Sequence, residues 1–339
     1  MYTVGVRFEV PDFLHGACRR RSGLKNVTVV SRSTNGGKLI KMKKTNFHTH
    51  TVWCDGKDTA EAVVQSAIEK GFDAIGFSSH MSFPASQDWE LSAADAPAYV
   101  CEIARLREKY ASRIKVYCGG EADYIRGITT PEHSRYAAMN LRYLIGSLHM
   151  VIAPDGGRVW VDSSPKLLAE CLERHFGGDA KAFIGAYFEQ QREMLGFDFE
   201  ILGHPDLVRK FNVKHPYFDE NAGWYLNELE KTADAIAASG KIVEVNTGAI
   251  SRGWLDDAYP SPVFRAMLRE RGVKFILSSD SHSAETIDCA FDRFAAAEDY
   301  IDFSPKPDMS AEDFKTADEF GIMNKVNAGA RSSCGKGDR

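Results

Sequence analysis

The chain has 339 residues, 44% of them hydrophobic and 26% charged, and a formal net charge of −5. That is the balance of a globular protein able to bury a core, and it gives no overall pull towards nucleic acid or an anionic membrane. Its seven cysteines, Cys18, Cys54, Cys101, Cys118, Cys171, Cys289 and Cys334, are odd in number, widely spaced and without a Cys-x-x-Cys pair, which suits a reducing cytosol better than a disulfide framework.

The first 41 residues differ in character from the remainder. Residues 1–45 hold ten Lys/Arg against Glu9 and Asp12, a local balance of +8 that leaves −13 for the rest of the chain. They contain three consecutive arginines (Arg19 to Arg21) and a Ser/Thr/Asn/Gly stretch at 31–37, with no sustained helical or strand period. A targeting peptide is basic and poor in acids in the same way. Here, however, the apolar stretch of a secretory signal is missing, and Pro11 and Gly16 interrupt any helical face. Residues 1–41 are expected to form a loosely ordered extension, with the ordered pattern beginning at Met42 and one catalytic domain over 42–330. No apolar run approaches the roughly 20 residues that span a bilayer, so a cytoplasmic protein without membrane association is expected.

From Asn46 onward short β-like runs alternate with helical stretches. Asn46–His50 reads as a strand end and Thr59–Lys70 as a helix stopped by Gly71. Asp73–Ser78 is the next strand, Ala94–Ala111 a helix with apolar Val100, Ile103, Ala104 and Leu106, and Lys115–Gly119 the third strand. Tyr143–Leu148 is the fourth, followed by helices near Pro165–Arg174 and Lys181–Leu195. Glu200–Gly203, Ile242–Asn246 and Lys274–Ser279 complete seven strands, with helices predicted over Glu220–Ala238, Ser261–Arg271 and Ala284–Ala296. Strands separated by helical periods imply βαβ units and a parallel sheet. Periodicity leaves open whether that sheet is a barrel or open and doubly wound. A barrel fits the length, since such folds run to this size as one domain.

The placement of metal-type residues separates the two. His48 and His50 close strand one, His80 lies just beyond strand two, Glu121 follows strand three, and His149 closes strand four. His204 follows strand five, and Asp280 and His282 follow strand seven, so six of seven strand ends present a ligand type. A barrel gathers its strand C-termini round one centre, whereas an open sheet sets them in a line. A seven-stranded α/β barrel is therefore expected. A single histidine is ordinarily a core or surface residue, and His15, His133, His175 and His215 are read that way, lying in helices or loops without a partner pattern. His-x-His in a strand merely puts two rings on one face. The set as a whole points to metal, because imidazole suits Zn, Fe and Mn sites and a carboxylate can bridge two ions.

The run Asn-Phe-His-Thr-His-Thr-Val-Trp-Cys-Asp-Gly (46–56) resembles the first motif of the PHP (polymerase and histidinol phosphatase) superfamily. Gly-Phe-Ser-Ser-His (76–80), Gly-Gly-Glu-Ala-Asp-Tyr (119–124), Gly-Ser-Leu-His (146–149), Gly-His-Pro-Asp (203–206) and Ser-Ser-Asp-Ser-His (278–282) resemble the later motifs, in order. The resemblance covers about residues 44–300 and looks closest to the histidinol-phosphate phosphatases. It implies a distorted, TIM-like (β/α)7 barrel binding up to three divalent metals. By position it implies one metal on His48, His50, Glu121 and Asp280, and a second on Glu121, His149 and His204, with Glu121 as the bridge. A third would lie on Asp55, His80 and His282. Several family members have a histidine where this chain has Asp55, and an oxygen ligand there favours harder ions.

The resemblance carries a chemistry. A phosphate monoester dianion resists attack by water, so positive charge must gather round its oxygens, and bound metals supply both that charge and an activated water. The nucleophile is accordingly assigned to a metal-bound hydroxide. Ser147, Ser279 and Cys54 lie near ligands but form no nucleophile–base signature. The leaving oxygen needs a proton, from water on the third metal or from His282. A guanidinium fork suits phosphate, and the candidates are Arg252, after strand six and expected to touch no metal ligand, and Arg209, five residues past His204. The expected reaction is hydrolysis of a small-molecule phosphate ester, L-histidinol phosphate to L-histidinol in histidine biosynthesis. The alternatives are a phosphodiester or nucleotide hydrolase, against whose DNA-processing form the −13 balance argues, and a non-catalytic scaffold, which would have lost ligands that this chain keeps.

Overall fold

A computed structural model describes residues 43–84, 89–296, 298 and 300–306. The expected N-terminal extension and the last part of the expected 42–330 domain lie outside the described residues. The chain runs β1 (Thr45–Asn46), α1 (Ala60–Glu69), β2 (Ala74–Phe77), α2 (Ala96–Lys109), β3 (Lys115–Cys118), β4 (Gly120–Asp123) and β5 (Leu144–Ser147). It continues with β6 (Met150–Ile152), β7 (Arg158–Trp160), α3 (Pro165–Phe176), α4 (Ala180–Met194), β8 (Ile201–Leu202) and α5 (Gly223–Ser239). The remaining elements are β9 (Ile242–Asn246), α6 (Gly248–Ser251), α7 (Pro262–Glu270), β10 (Phe275–Ser278) and α8 (Phe291–Phe294).

Two parallel arcs make up the barrel: β1-β2-β3 and β4-β5-β8-β9-β10. Only Gly119 separates β3 from β4, and a Cβ there would lie 2.3 Å from the Tyr143 ring, so the chain bends where a side chain does not fit. Tyr143 is fully buried and its hydroxyl donates to the Phe47 carbonyl at 2.7 Å, tying β5 to the far arc. At the other seam the His50 N–H donates to the Ser281 carbonyl at 2.8 Å and the Ser281 N–H to the His48 carbonyl at 3.3 Å. This parallel bridge joins the extension of β1 to that of β10. With β3 and β4 as one bent strand, seven parallel strands succeed one another round a distorted α/β barrel.

The helices form where capping and period agree. In α1, Thr59 accepts a hydrogen bond from the Ala62 N–H, and Ala60, Val63, Val64 and Ala67 form the buried stripe. Burial of each valine contributes about 1.5–3 kcal/mol. Ser164 and Ser261 cap α3 and α7 in the same way, each with proline in the first turn.

Two features depart from expectation. The helix expected over 284–296 is reduced to the single turn α8. Its first part is held elsewhere: the Ala284 N–H donates to Asp58, the Ala284 carbonyl accepts from Ser66, and the Ile287 carbonyl accepts from Asn46. Ala290, with φ +59°, then breaks any helical run into α8. The antiparallel hairpin β6–β7 is an addition that the periodicity did not reveal.

Candidate metal centre

The strand C-termini deliver their side chains to one place. His48 and His50 lie on the same side of the chain beyond β1, His80 beyond β2, and Glu121 within β4. His149 and His204 come just after β5 and β8, and Asp280 and His282 after β10. Asp55 joins them from the loop before α1. Buried Glu121 is the hub. Its Oε2 lies 3.1 Å from His48 Nε2, 3.4 Å from His50 Nε2 and 3.1 Å from His80 Nδ1. Its Oε1 lies 3.0 Å from His204 Nε2 and 3.5 Å from His149 Nε2, and accepts from Ser147 Oγ at 2.6 Å. Asp280 Oδ1 stands 3.7 and 3.4 Å from His48 and His50 Nε2. Asp55 meets His282 Nε2 at 3.0 Å and His80 Nε2 at 3.8 Å. All nine residues expected as ligands fall into overlapping sets of three or four whose donor atoms lie within 4.8 Å of one another.

The donors suit divalent cations. His48 Nε2, His50 Nε2, His80 Nδ1, His204 Nδ1 and Glu121 Oε2 are buried without a hydrogen-bond partner, a costly state for polar atoms unless an ion completes them. Burial by itself would raise Glu121, but the imidazoles of His48, His80 and His149 hold its carboxyl well below the usual range. Burial would lower His50 and His149, yet Cys54 and Asp280 raise the first to about 10, and Asp123 and Glu121 the second to about 10. Burial pushes His80 down to about 3, helped by its neighbours His50 and His149. The cluster therefore takes up positive charge strongly, and a bound cation would displace protons from it. His204 and Asp280 have φ of +20° and +47°, left-handed backbone of the kind that surrounding structure enforces at functional sites.

Behind the ligands stand acids that motif reading passed over. Glu244, fully buried in β9, lies 2.9 Å from His48 Nδ1 and also accepts from the His204 N–H at 2.9 Å and Asn246 Nδ2 at 2.7 Å. Asp123 lies 2.8 Å from His149 Nδ1. These carboxylates place the proton on Nδ1 and leave Nε2 bare towards the cluster. The available signal was an acid inside an otherwise buried strand, Ile-Val-Glu-Val-Asn at 242–246. Of the three residues weighed as nucleophiles, Ser147 bonds Glu121, Ser279 accepts from Asn46 at 2.6 Å, and Cys54 Sγ lies 3.5 Å from His50 Nδ1. His133 and His175 pair with Glu200 and Asp155, away from the cluster.

A cavity of about 470 Å³ opens onto the cluster, walled by Asp55, His80, His149, Asp280 and His282 on one side. Trp89, Trp160, Asp162, Ser163, Lys210 and Arg252 complete its lining. Arg252 is at the expected place, but it touches a ligand after all: its NH2 donates to Asp280 Oδ2 at 2.7 Å and its NH1 to the Asp280 carbonyl at 3.0 Å. Arg209 does not line the cavity. It is buried against Glu220 at 2.6 Å and Asp206 at 3.6 Å, and those two acids occupy its charge. The next residue, Lys210, faces the cavity in its stead.

A parallel α/β barrel with a buried imidazole–carboxylate cluster at its strand C-termini, open to a pocket with two further cations, is a metal-dependent hydrolase of the phosphoesterase class. The PHP domain matches residues 46–248, and the chain belongs to that family. A Deinococcus radiodurans protein named probable histidinol-phosphatase is 30% identical over 241 residues, covering 69% of this chain and 85% of that one. A Schizosaccharomyces pombe protein of the same name is 28% identical, covering 71% and 80%. Among solved structures, a Listeria monocytogenes protein assigned as a histidinol phosphatase superposes with TM-score 0.66 at 22% identity, over 74% of this chain and all of that one. The Lactococcus lactis histidinol phosphate phosphatase, solved with zinc, L-histidinol and phosphate, gives 0.51 at 19%, over 76% and 95%. Among the described residues no helix is long and apolar enough to cross a membrane.

Proposed function

We propose that the protein is a histidinol-phosphate phosphatase, hydrolysing L-histidinol phosphate to L-histidinol and phosphate in histidine biosynthesis. The observation that carries this reading is the convergence of nine ligand-type side chains with Glu121 at their hub, five of their buried atoms lacking a partner. The names of the two relatives at 28–30% identity support the choice of substrate. His48, His50, Glu121 and Asp280 would hold one cation, Glu121, His149 and His204 a second, and Asp55, His80 and His282 a third. Divalent zinc, iron or manganese bound there would lower the pKa of water towards about 7 and offset the charge of the phosphoryl oxygens.

The chain's own groups do the rest. Glu121 spans two ligand sets with its two oxygens, so its charge would offset the repulsion between cations held there. Arg252 holds Asp280 and offers the remainder of its guanidinium to the cavity, where a phosphate oxygen would accept from it. His282 lies at the cavity wall with Asp55 3.0 Å from its Nε2, placed to pass a proton to the leaving oxygen. Residues 1–41 take no part in this reading, and 42–330 form the catalytic unit.

Purified protein assayed against phosphomonoesters and bis(p-nitrophenyl) phosphate tests the proposal. L-histidinol phosphate should be the best substrate, with activity lost on chelation and restored by zinc or manganese. Faster cleavage of the diester, or activity that survives complete metal removal, would overturn it.

A further inference from the structure

Each imidazole of the cluster needs a group behind it to decide which nitrogen it presents. Glu244 and Asp123 do this for His48 and His149. For His50 the described residues supply no carboxylate within hydrogen-bond distance of Nδ1. Asp55 Oδ1 stands 3.7 Å away, and the other oxygen of Asp55 meets His282 Nε2 at 3.0 Å. The atom in contact with His50 Nδ1 is Cys54 Sγ, at 3.5 Å. It arrives there because residues 51–56 fold back on themselves. The N–H groups of Cys54 and Gly56 both donate to the Thr51 carbonyl, at 2.9 and 3.0 Å. A Cβ on Gly56 would lie 2.4 Å from the Thr51 nitrogen, so the turn closes only with glycine there. The His50 ring is fully buried, and its Nε2 has no hydrogen-bond partner while lying 3.4 Å from both Glu121 Oε2 and Asp280 Oδ1. His282 stacks on it, with centroids 4.2 Å and planes 17° apart. Stacking sets the plane of a ring but leaves rotation within that plane free, and a directional hydrogen bond at Nδ1 stops the rotation.

We infer that Cys54 is the positioning residue behind His50, its sulfur accepting from Nδ1–H so that Nε2 is left bare for a cation. A ring that ligates through Nε2 carries its one proton on Nδ1, and a cysteine sulfur can accept it. The same turn brings the next residue, Asp55, to His282 and His80. One short segment thereby sets a ligand of the first cation and a ligand of the third. Cys54 is in this role neither a nucleophile nor a ligand. The inference rests on the metal-dependent reading of the cluster above and is independent of which phosphate ester is hydrolysed.

Metal-stripped parent, Cys54→Ala and Cys54→Ser titrated with zinc against a chromophoric chelator provide the test. Alanine and serine differ little in size, but serine keeps an acceptor. Zinc affinity should fall about tenfold to a hundredfold in Cys54→Ala, the usual effect of losing the group behind a ligating histidine. Cys54→Ser should recover the larger part of that loss. Affinity in Cys54→Ala within about twofold of the parent overturns the proposal. So does an equal loss in both variants, which would make the space filled by sulfur the cause. The three stripped proteins should share one Tm, and a Tm that falls along with affinity in Cys54→Ala would assign Cys54 to the fold and overturn the role. Absorption of the cobalt-loaded parent supplies a second check. A thiolate-to-metal charge-transfer band that disappears in Cys54→Ser would make Cys54 a ligand and overturn the role as well. A parent that takes up no zinc overturns the reading of the cluster together with this one, whereas a parent that binds zinc no more tightly than Cys54→Ala overturns the role of Cys54 alone.

Discussion

Replacing Glu244 by glutamine tests how the cluster is held. The two oxygens of Glu244 face only donors: His48 Nδ1 at 2.9 and 3.1 Å, the His204 N–H at 2.9 Å and Asn246 Nδ2 at 2.7 Å. Glutamine keeps one oxygen for His204 and Asn246 and turns its NH2 towards His48. Two donors then confront each other inside a fully buried site, and the ring relieves the conflict by moving its proton from Nδ1 to Nε2. Nε2 is the atom 3.1 Å from Glu121 Oε2, and it must be bare to hold a cation. Carboxylates behind metal-ligating histidines typically contribute about 10–100-fold in affinity or activity, or about 1.4–2.8 kcal/mol. Titration of zinc into metal-stripped Glu244→Gln by calorimetry should show that loss, with kcat/KM at limiting zinc falling in parallel. Affinity and kcat/KM both within about twofold of the parent would refute the reasoning.

Glu121→Gln removes the charge that five imidazoles face, so elemental analysis should show metal content falling with turnover. Arg252→Ala should lower kcat/KM by about tenfold to a hundredfold, and because Arg252 holds Asp280 its metal content should fall too, though less than in Glu121→Gln; unchanged metal would confine Arg252 to the phosphate. His50 and His149 keep protons up to about 10, and a cation must displace them, so zinc affinity should rise from pH 6 to pH 9, and a flat profile would contradict the cluster. Burial opposes ionisation of Glu200, but hydrogen bonds from His133, Lys306 and the Leu144 N–H hold its carboxyl at about 2, against about 4.3 in an unfolded chain. Its stabilisation is then complete above the unfolded value and is lost as pH falls towards 2, so the deficit in Tm of Glu200→Gln should shrink between pH 4.5 and pH 2. Deletion of residues 1–41 should leave both Tm and turnover unchanged, and an unfolded product would count against the extension as a separate segment.

What could be read from the sequence was what is local. Every ligand but Asp55 sits in a short segment at a strand's C-terminal end, and in a parallel barrel those ends converge whatever the details of packing. His48, His80, His149 and Asp280 could therefore be named from position alone. The roles of Asp123 and Glu244 could not: Asp123 lies inside a motif whose ligand is Glu121, and Glu244 reads as an isolated acid in a core strand. Only the wrapping of the sheet puts their carboxylates behind His149 and His48. Arg209 and Lys210 are adjacent, equally cationic and equally far from a motif. The short turn at Leu207–Arg209 directs one to Glu220 and the other to the cavity. The segment 284–296 has a helical pattern, yet its polar groups find Asn46, Asp58 and Ser66, more than 200 residues away. Sequence pattern reports the preference of a segment for its own neighbours. Which distant group satisfies a buried donor, and which of two adjacent cations meets a pocket, depends on contacts that exist only once the barrel has closed.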